Sequence, residues 1–227
     1  MEKVLFLILI CIIIILIMLY LIKLRRETTI KLEEILYVQN DVKTYLTVLK
    51  SNKLLKLLYP KGTIENFILD GYMMLNNKTM IEKQFIIVDS LHLNKGELLD
   101  FNLKKLSYFA KIDNQEKSKE ALKTINSILE KNNQPKYLDI KEEATRIYKL
   151  YIDKDISLQE ELLQLANKQE GIQKGITYFR LAKIAYYKQN IKNVEKYLNL
   201  TKPLVKNTTY QQIVELCQKD PQKLSEY

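Results

Sequence analysis

Tryptophan is absent from this sequence, histidine occurs once, proline four times, glycine five times and cysteine twice in 227 residues. Most of these scarcities exclude something. Sandwiches, barrels and Rossmann folds turn the chain often and tightly, and such low counts of glycine and proline argue for helices joined by short polar loops. A single histidine, His92, leaves no His cluster, no His-containing triad and no two-His metal site within one chain. Lying between Leu91 and Leu93 near a predicted helix end, it reads as structural. Neither G-x-x-x-x-G-K-[ST] nor G-x-G-x-x-G occurs, which removes phosphate cradles of those types. The carboxylate pairs Glu33/Glu34, Glu142/Glu143 and Glu160/Glu161 are sequence neighbours and fall on different parts of a helix circumference, as solvated charges do. No catalytic residue, metal ligand or cofactor-binding residue is therefore expected. The reading is of a non-enzyme.

The residues present divide sharply. Hydrophobic residues make up 47% of the chain, but that share averages an extreme first segment with an ordinary remainder. Val4 to Ile22, VLFLILICIIIILIMLYLI, carries no charge over nineteen residues. At about 1.5 Å per residue it can cross a hydrocarbon core of roughly 30 Å. A cleaved signal would end in a small-residue site, whereas this run ends in Tyr20-Leu-Ile-Lys-Leu-Arg-Arg26. Cys11 follows Ile10 in mid-run rather than a small residue, so it reads as a membrane-buried thiol and not a lipidation site. Lys23, Arg25, Arg26 and Lys31 outweigh Lys3 and the amino terminus, which favours a cytoplasmic position for the body of the chain.

The body is moderately basic. Removing the first 26 residues leaves 32 Lys/Arg against 26 Asp/Glu, spread along the chain. Nucleic-acid domains concentrate their cations on one face, and the runs Lys53/Lys56/Lys61, Lys104/Lys105/Lys111 and Lys183/Lys188/Lys192 read instead as solvated helix surface. Nucleic acid is not an expected partner, while the bilayer is, and its anionic head groups would attract a tethered basic body. With Cys11 in the membrane and Cys217 near the far end, no intrachain disulfide is expected. Asn-x-Ser/Thr patterns at Asn77, Asn199 and Asn207 matter only in a glycosylating compartment, and the Lys/Asn/Ile-rich composition suggests a bacterial-type membrane.

Apolar residues in the body recur at three and four positions, the helical period. No proline or glycine interrupts residues 23 to 59, so a first helix can run on from the membrane segment. After Gly62 helices come in pairs: about 63–75 with 78–92, 96–111 with 115–132, 138–152 with 157–169, and 172–188 with 191–204, then a last helix near 208–218. The pairs begin near 62, 96, 137 and 172, with Gly62, Pro135 (after Asn132-Asn133-Gln134) and Gly171 as punctuation. Such spacing is that of helix-turn-helix solenoids. The chain thus divides into an anchor over 1–26, a juxtamembrane helical segment over 27–61, and a repeat domain over 62–227.

The fourth pair resembles a tetratricopeptide repeat. Leu181, Ala182, Ala185, Ile191, Val194, Leu198 and Thr201 fall at its signature spacing, small residues letting two helices approach while larger ones fill the gap. Gly71, with Met74, Met80 and Ile87, and Ala121, Ile125 and Ile128 after Phe109, are weaker echoes. Thr201 replaces the usual alanine, Pro203 comes early, and the third pair has only its periodicity. The fold class expected is thus all-α, a transmembrane helix followed by a tetratricopeptide-like α-solenoid of antiparallel helix pairs. The resemblance implies a concave groove for a peptide or partner helix, lined in the fourth pair by Phe179, Lys183, Tyr186 and Tyr187. The function implied is a membrane-anchored protein-protein interaction adaptor or scaffold of unidentified partner. The alternatives are an extracytoplasmic envelope-assembly or chaperone-like module and a basic lipid- or nucleic-acid-binding domain.

Overall fold

The structure, a computed structural model, describes residues 2–130, 135–206 and 208–227. Asn132, Asn133, Gln134 and Asn207 therefore lie outside the described residues. Every regular element among the described residues is helical. The chain forms two compact units, Met1–Leu91 and His92–Tyr227. The helix pair expected to open the repeat domain thus groups with the juxtamembrane segment.

In the first unit, α1 (Glu2–Glu33) continues into a wider π-helical turn at Glu34–Val38. Its stretch Phe6–Val38 is long and apolar enough to cross a membrane. The helix stops there without glycine or proline, because Asn40 takes a left-handed backbone (φ 54°) and the Asp41 carboxylate accepts from the Thr44 N–H to start α2 (Val42–Ser51). Asn52 likewise caps α3 (Lys53–Leu58), and Tyr59 and Pro60 carry extended backbone into α4 (Lys61–Met74). Asn77 caps α5 (Lys78–Asp89). Asn and Asp can thus do what the sparse glycines cannot, since their short side chains offer local acceptors and tolerate the left-handed region. Leu49, Leu55, Leu69, Ile81 and Val88 form the interior with Tyr45, whose hydroxyl donates to the Phe67 carbonyl at 3.0 Å. Gly71 does fill a small-residue position, but against α2. A Cβ there would stand 2.7 Å from Leu46 Cδ2 and 3.2 Å from Tyr45 Cδ1. Ile87 points outward, 43% exposed.

The second unit begins at His92, exposed in the loop before α6. Asn94 and Glu97 form a reciprocal capping box that starts α6 (Lys95–Lys111). Next along the chain are α7 (Gln115–Glu130), α8 (Pro135–Tyr151), a short 3-10 turn at Ile156–Leu158 leading into α9 (Gln159–Lys168), and α10 (Gly171–Tyr187). Then come α11 (Ile191–Thr201), a 3-10 turn at Lys202–Val205, α12 (Thr209–Lys219) and a 3-10 segment at Pro221–Ser225. These bounds fall within a few residues of the periodicity reading.

The unit has two cores. Leu99, Leu106, Ala121, Ile125, Ala144 and Ile147 join α6, α7 and α8, whereas Leu162, Leu181, Ile184, Val194, Leu198 and Val214 join α9 to α12. Two of the expected pairs, α6 with α7 and α10 with α11, pack closely. The third does not. Helix α8 packs on α6 and α7, and α9 packs on α10. In the fourth pair Ala182 and Ala185 lie in the interface as expected, but Ile191 is 48% exposed at the start of α11, and Val194, Tyr197 and Leu198 fill the space. Thr201 is accommodated because its hydroxyl donates to the Tyr197 carbonyl at 2.8 Å. Pro203 then opens the tight turn that folds back on α10 at Gly175, where a Cβ would meet Val205 Cγ1 at 2.8 Å.

Candidate partner-binding surface

Helix α10 brings Phe179, Lys183, Tyr186 and Tyr187 within two and a half turns, and they meet very different surroundings. Phe179 is buried, its ring edge-on to Tyr210 of α12 at 6.4 Å. Lys183 is buried too, only 3% exposed. Its ammonium donates to the Leu224 carbonyl at 2.8 Å and sits over the Tyr151 ring, 4.5 Å from the centroid. The expectation that these two face an open groove is therefore not met. The chain after α11 folds back over that side of α10, and residues 221–225 supply the carbonyl a ligand would otherwise offer. Tyr186 and Tyr187 are half-buried with tilted rings 6.2 Å apart, so only they retain surface. The apolar neighbourhood of Phe179 and Lys183 was legible in the helical period. Which element would cover them was not, because no local pattern records where a terminal segment folds back.

The environment of Lys183 has chemical consequences. Burial pushes its ammonium down to about 8, outweighing the neighbouring groups. Burial likewise raises the Cys217 thiol to about 11 and the Tyr151 phenol to about 12, and raises Tyr187. A lysine with a depressed pKa can serve as a nucleophile in an open site. Here the Leu224 carbonyl and the Tyr151 ring engage it from within the fold, which makes its contribution one of packing.

An ionic bridge across α8, α9 and α10, which the periodicity did not signal, lies elsewhere in the unit. Arg180 of α10 grips both oxygens of Glu143 of α8. Glu143 also accepts from Arg146 at 2.6 Å, and Arg146 reaches α9 at Glu161, again at 2.6 Å, and Glu142 at 3.3 Å. For Glu143, burial alone would raise the pKa, but the charges and hydrogen bonds of Arg180, and then of Arg146, hold it below the ordinary carboxylate range. For Arg180 burial is likewise outweighed by Glu143, and its pKa rises.

Where α8 and α9 part, a cleft of about 270 Å³ opens, lined by Leu138, Lys141, Thr145, Arg146, Lys149 and Leu158, with Glu142 and Glu161 at its rim. Arginine planarity explains why this floor holds its shape: one guanidinium spans three carboxylates in fixed directions. Among the described residues no group of three or more His, Cys, Asp or Glu side chains is placed to hold a metal ion. Comparison with protein-family models, with curated proteins and with solved structures returns no match.

Proposed function

We propose that this chain is a single-pass, membrane-anchored adaptor of bacterial type that recruits a protein or peptide partner through its second, tetratricopeptide-like unit, by recognition without turnover. The observation that carries the reading is the cleft between α8 and α9, where Leu138 and Leu158 supply apolar surface beside the charged Lys141, Arg146, Lys149 and Glu161. A concave apolar strip with a mixed ionic rim suits an amphipathic helix or extended segment. Tyr186 and Tyr187 are a second partner-facing area, now without Phe179 and Lys183. Tethering to the bilayer raises the local concentration of the cleft toward other membrane-bound proteins, so modest affinity suffices.

A photo-cross-linking residue at Thr145 of the membrane-inserted full chain is expected to give one discrete adduct, lost on Leu138→Arg and retained on Tyr186→Ala. An adduct that survives Leu138→Arg would refute the cleft, and the absence of any adduct from Thr145, and from a second probe placed at Tyr187, would refute the adaptor. The cytoplasmic placement follows from the basic flank Lys23, Arg25, Arg26. Cys217 is fully buried and cannot report it, but Ser51 is exposed. A Ser51→Cys variant is expected to react with an impermeant maleimide only after cells are permeabilised, and labelling of intact cells would reverse the orientation.

A further inference from the structure

The first unit folds back to the place where the anchor ends. Tyr59, the residue after α3, donates its hydroxyl to the Arg25 carbonyl at 2.7 Å and lies 2.9 Å from the Thr29 hydroxyl. Arg25 is three residues beyond the last residue of the uncharged run, Ile22. At about 1.5 Å per residue that is roughly 5 Å of helix, inside the head-group layer of a bilayer spanned by α1. Helix α3 is thus pinned by its C-terminal end beside the membrane exit.

Its sequence, KLLKLL, splits in a way the unit itself does not explain. Leu55 and Leu58 are buried in the unit, while Leu54 is 49% and Leu57 81% exposed. An exposed leucine pair on one turn is idle in water. Along the chain the charge around it is of one sign, since residues 42–64 contain Lys43, Lys50, Lys53, Lys56 and Lys61 and no acidic residue, while on the adjoining stretch of α1 Glu27 is paired with Lys23 at 3.8 Å. Lys53, Lys56 and Lys61 are exposed, as are Arg25 and Arg26 on the adjoining turn of α1.

We propose that α3 is a bilayer-contacting element: Leu54 and Leu57 enter the interface of the leaflet that α1 leaves, and Lys53, Lys56, Lys61, Arg25 and Arg26 pair with the phosphates of anionic lipids. Apolar side chains in the head-group boundary beside a cluster of Lys and Arg are the physical signature of interfacial helices, and a polybasic flank of this size senses anionic lipid. The inference rests on the anchor reading and adds to it. The contact would set how the anchored unit stands on the membrane, with lipid charge as the variable.

The absence of tryptophan makes the test clean. Three single-tryptophan variants of the full chain, Leu16→Trp in the anchor, Leu57→Trp in α3 and Val38→Trp at the far end of the α1 rod, are reconstituted into phosphatidylcholine vesicles with or without phosphatidylglycerol. Each membrane contains lipid brominated near the carbonyl end of its chains or deep within them. Leu16→Trp is expected to be quenched by the deep bromines in both membranes and Val38→Trp in neither. Leu57→Trp is expected to be quenched by the shallow bromines, about twofold more strongly with phosphatidylglycerol present. Leu57→Trp behaving like Val38→Trp while Leu16→Trp is quenched would overturn the proposal and leave the anchor standing. A blue-shifted but unquenched Leu57→Trp would overturn it in favour of a protein neighbour, and equal quenching in both lipids would overturn the role of the lysines. An unquenched Leu16→Trp would bring down the anchor itself.

Discussion

Arg180→Met is expected to lower the stability of the second unit by about 3 kcal/mol at neutral pH, the lower end of what breaking a buried ion pair costs. The lower end applies because the two partners are unequally shielded: the Arg180 side chain is 13% exposed and that of Glu143 35%. The loss is large because Arg180 is one of the few groups joining α10 to α8, and without it Glu143 keeps only Arg146. Adding Glu143→Leu should recover more than half of the loss, since the carboxylate no longer needs a cation and Arg146 retains Glu161 and Glu142.

The pH dependence separates electrostatics from packing. Glu143 has a folded pKa below its unfolded value, so its stabilisation is present above the unfolded pKa and is lost as pH falls through the folded one. The gap between wild type and Arg180→Met should therefore be constant from neutral pH down to about 5 and shrink below that. Urea unfolding of the full chain in detergent, followed by tyrosine near-UV circular dichroism, reads it. A gap unchanged at pH 3 would assign the effect to the lost side-chain volume alone.

The second large effect is alkaline. Lys183 has a folded pKa near 8, below its ordinary 10.5, so its burial penalty is complete below pH 8 and fades as pH rises to that of the unfolded chain. Cys217, raised from 9.0 to about 11, and Tyr151, raised from 10.0 to about 12, work the other way. Each is neutral in the fold while its unfolded counterpart ionises, so each draws the equilibrium toward unfolding as pH climbs. Stability should rise by about 0.6 kcal/mol between pH 8 and 9, flatten to pH 10, and then fall by about 2 kcal/mol by pH 12, Tyr151 being discounted for its partial exposure. Burial-raised Tyr187 steepens the fall. Lys183→Met should abolish the rise and keep the fall. A monotonic decline in the wild type would show that the ammonium is not penalised, the Leu224 carbonyl and Tyr151 ring compensating for lost water.

Much of the architecture was legible. Helical periodicity placed the body helices within a few residues, because an amphipathic stripe is a local property that survives any tertiary arrangement. The punctuation was read only in part. Pro135 and Gly171 do open α8 and α10, Gly171 with a left-handed backbone (φ 54°), and Gly62 is the second residue of α4, but Asn40, Asn76 and Asp113 also take the left-handed backbone and Asp41, Asn52, Asn77, Asn94 and Asn190 supply caps. A search for breakers alone misses these, since Asn and Asp are also ordinary solvated residues. The helix that residues 23 to 59 could have carried on without a break accordingly ends at Val38. In the candidate site, Tyr186 and Tyr187 keep surface, while Phe179 and Lys183 do not, and the bridge from the Glu143/Arg146 pair of α8 to Arg180 of α10 was invisible because its two ends lie on separate helices.

The scarcity of glycine and proline, the three-to-four apolar period and one uncharged run determined by themselves an all-helical chain with a segment long enough to span a membrane. Composition and period act through the backbone and the solvent, and need no knowledge of neighbours. Only the tertiary structure decided which helices pair, that α8 and α9 part to leave a cleft, that residues 221–225 seal Lys183, and that Tyr59 returns α3 to Arg25. Those outcomes depend on side-chain fit and on hydrogen bonds between residues some thirty to forty positions apart, for which one-dimensional patterning carries no signal.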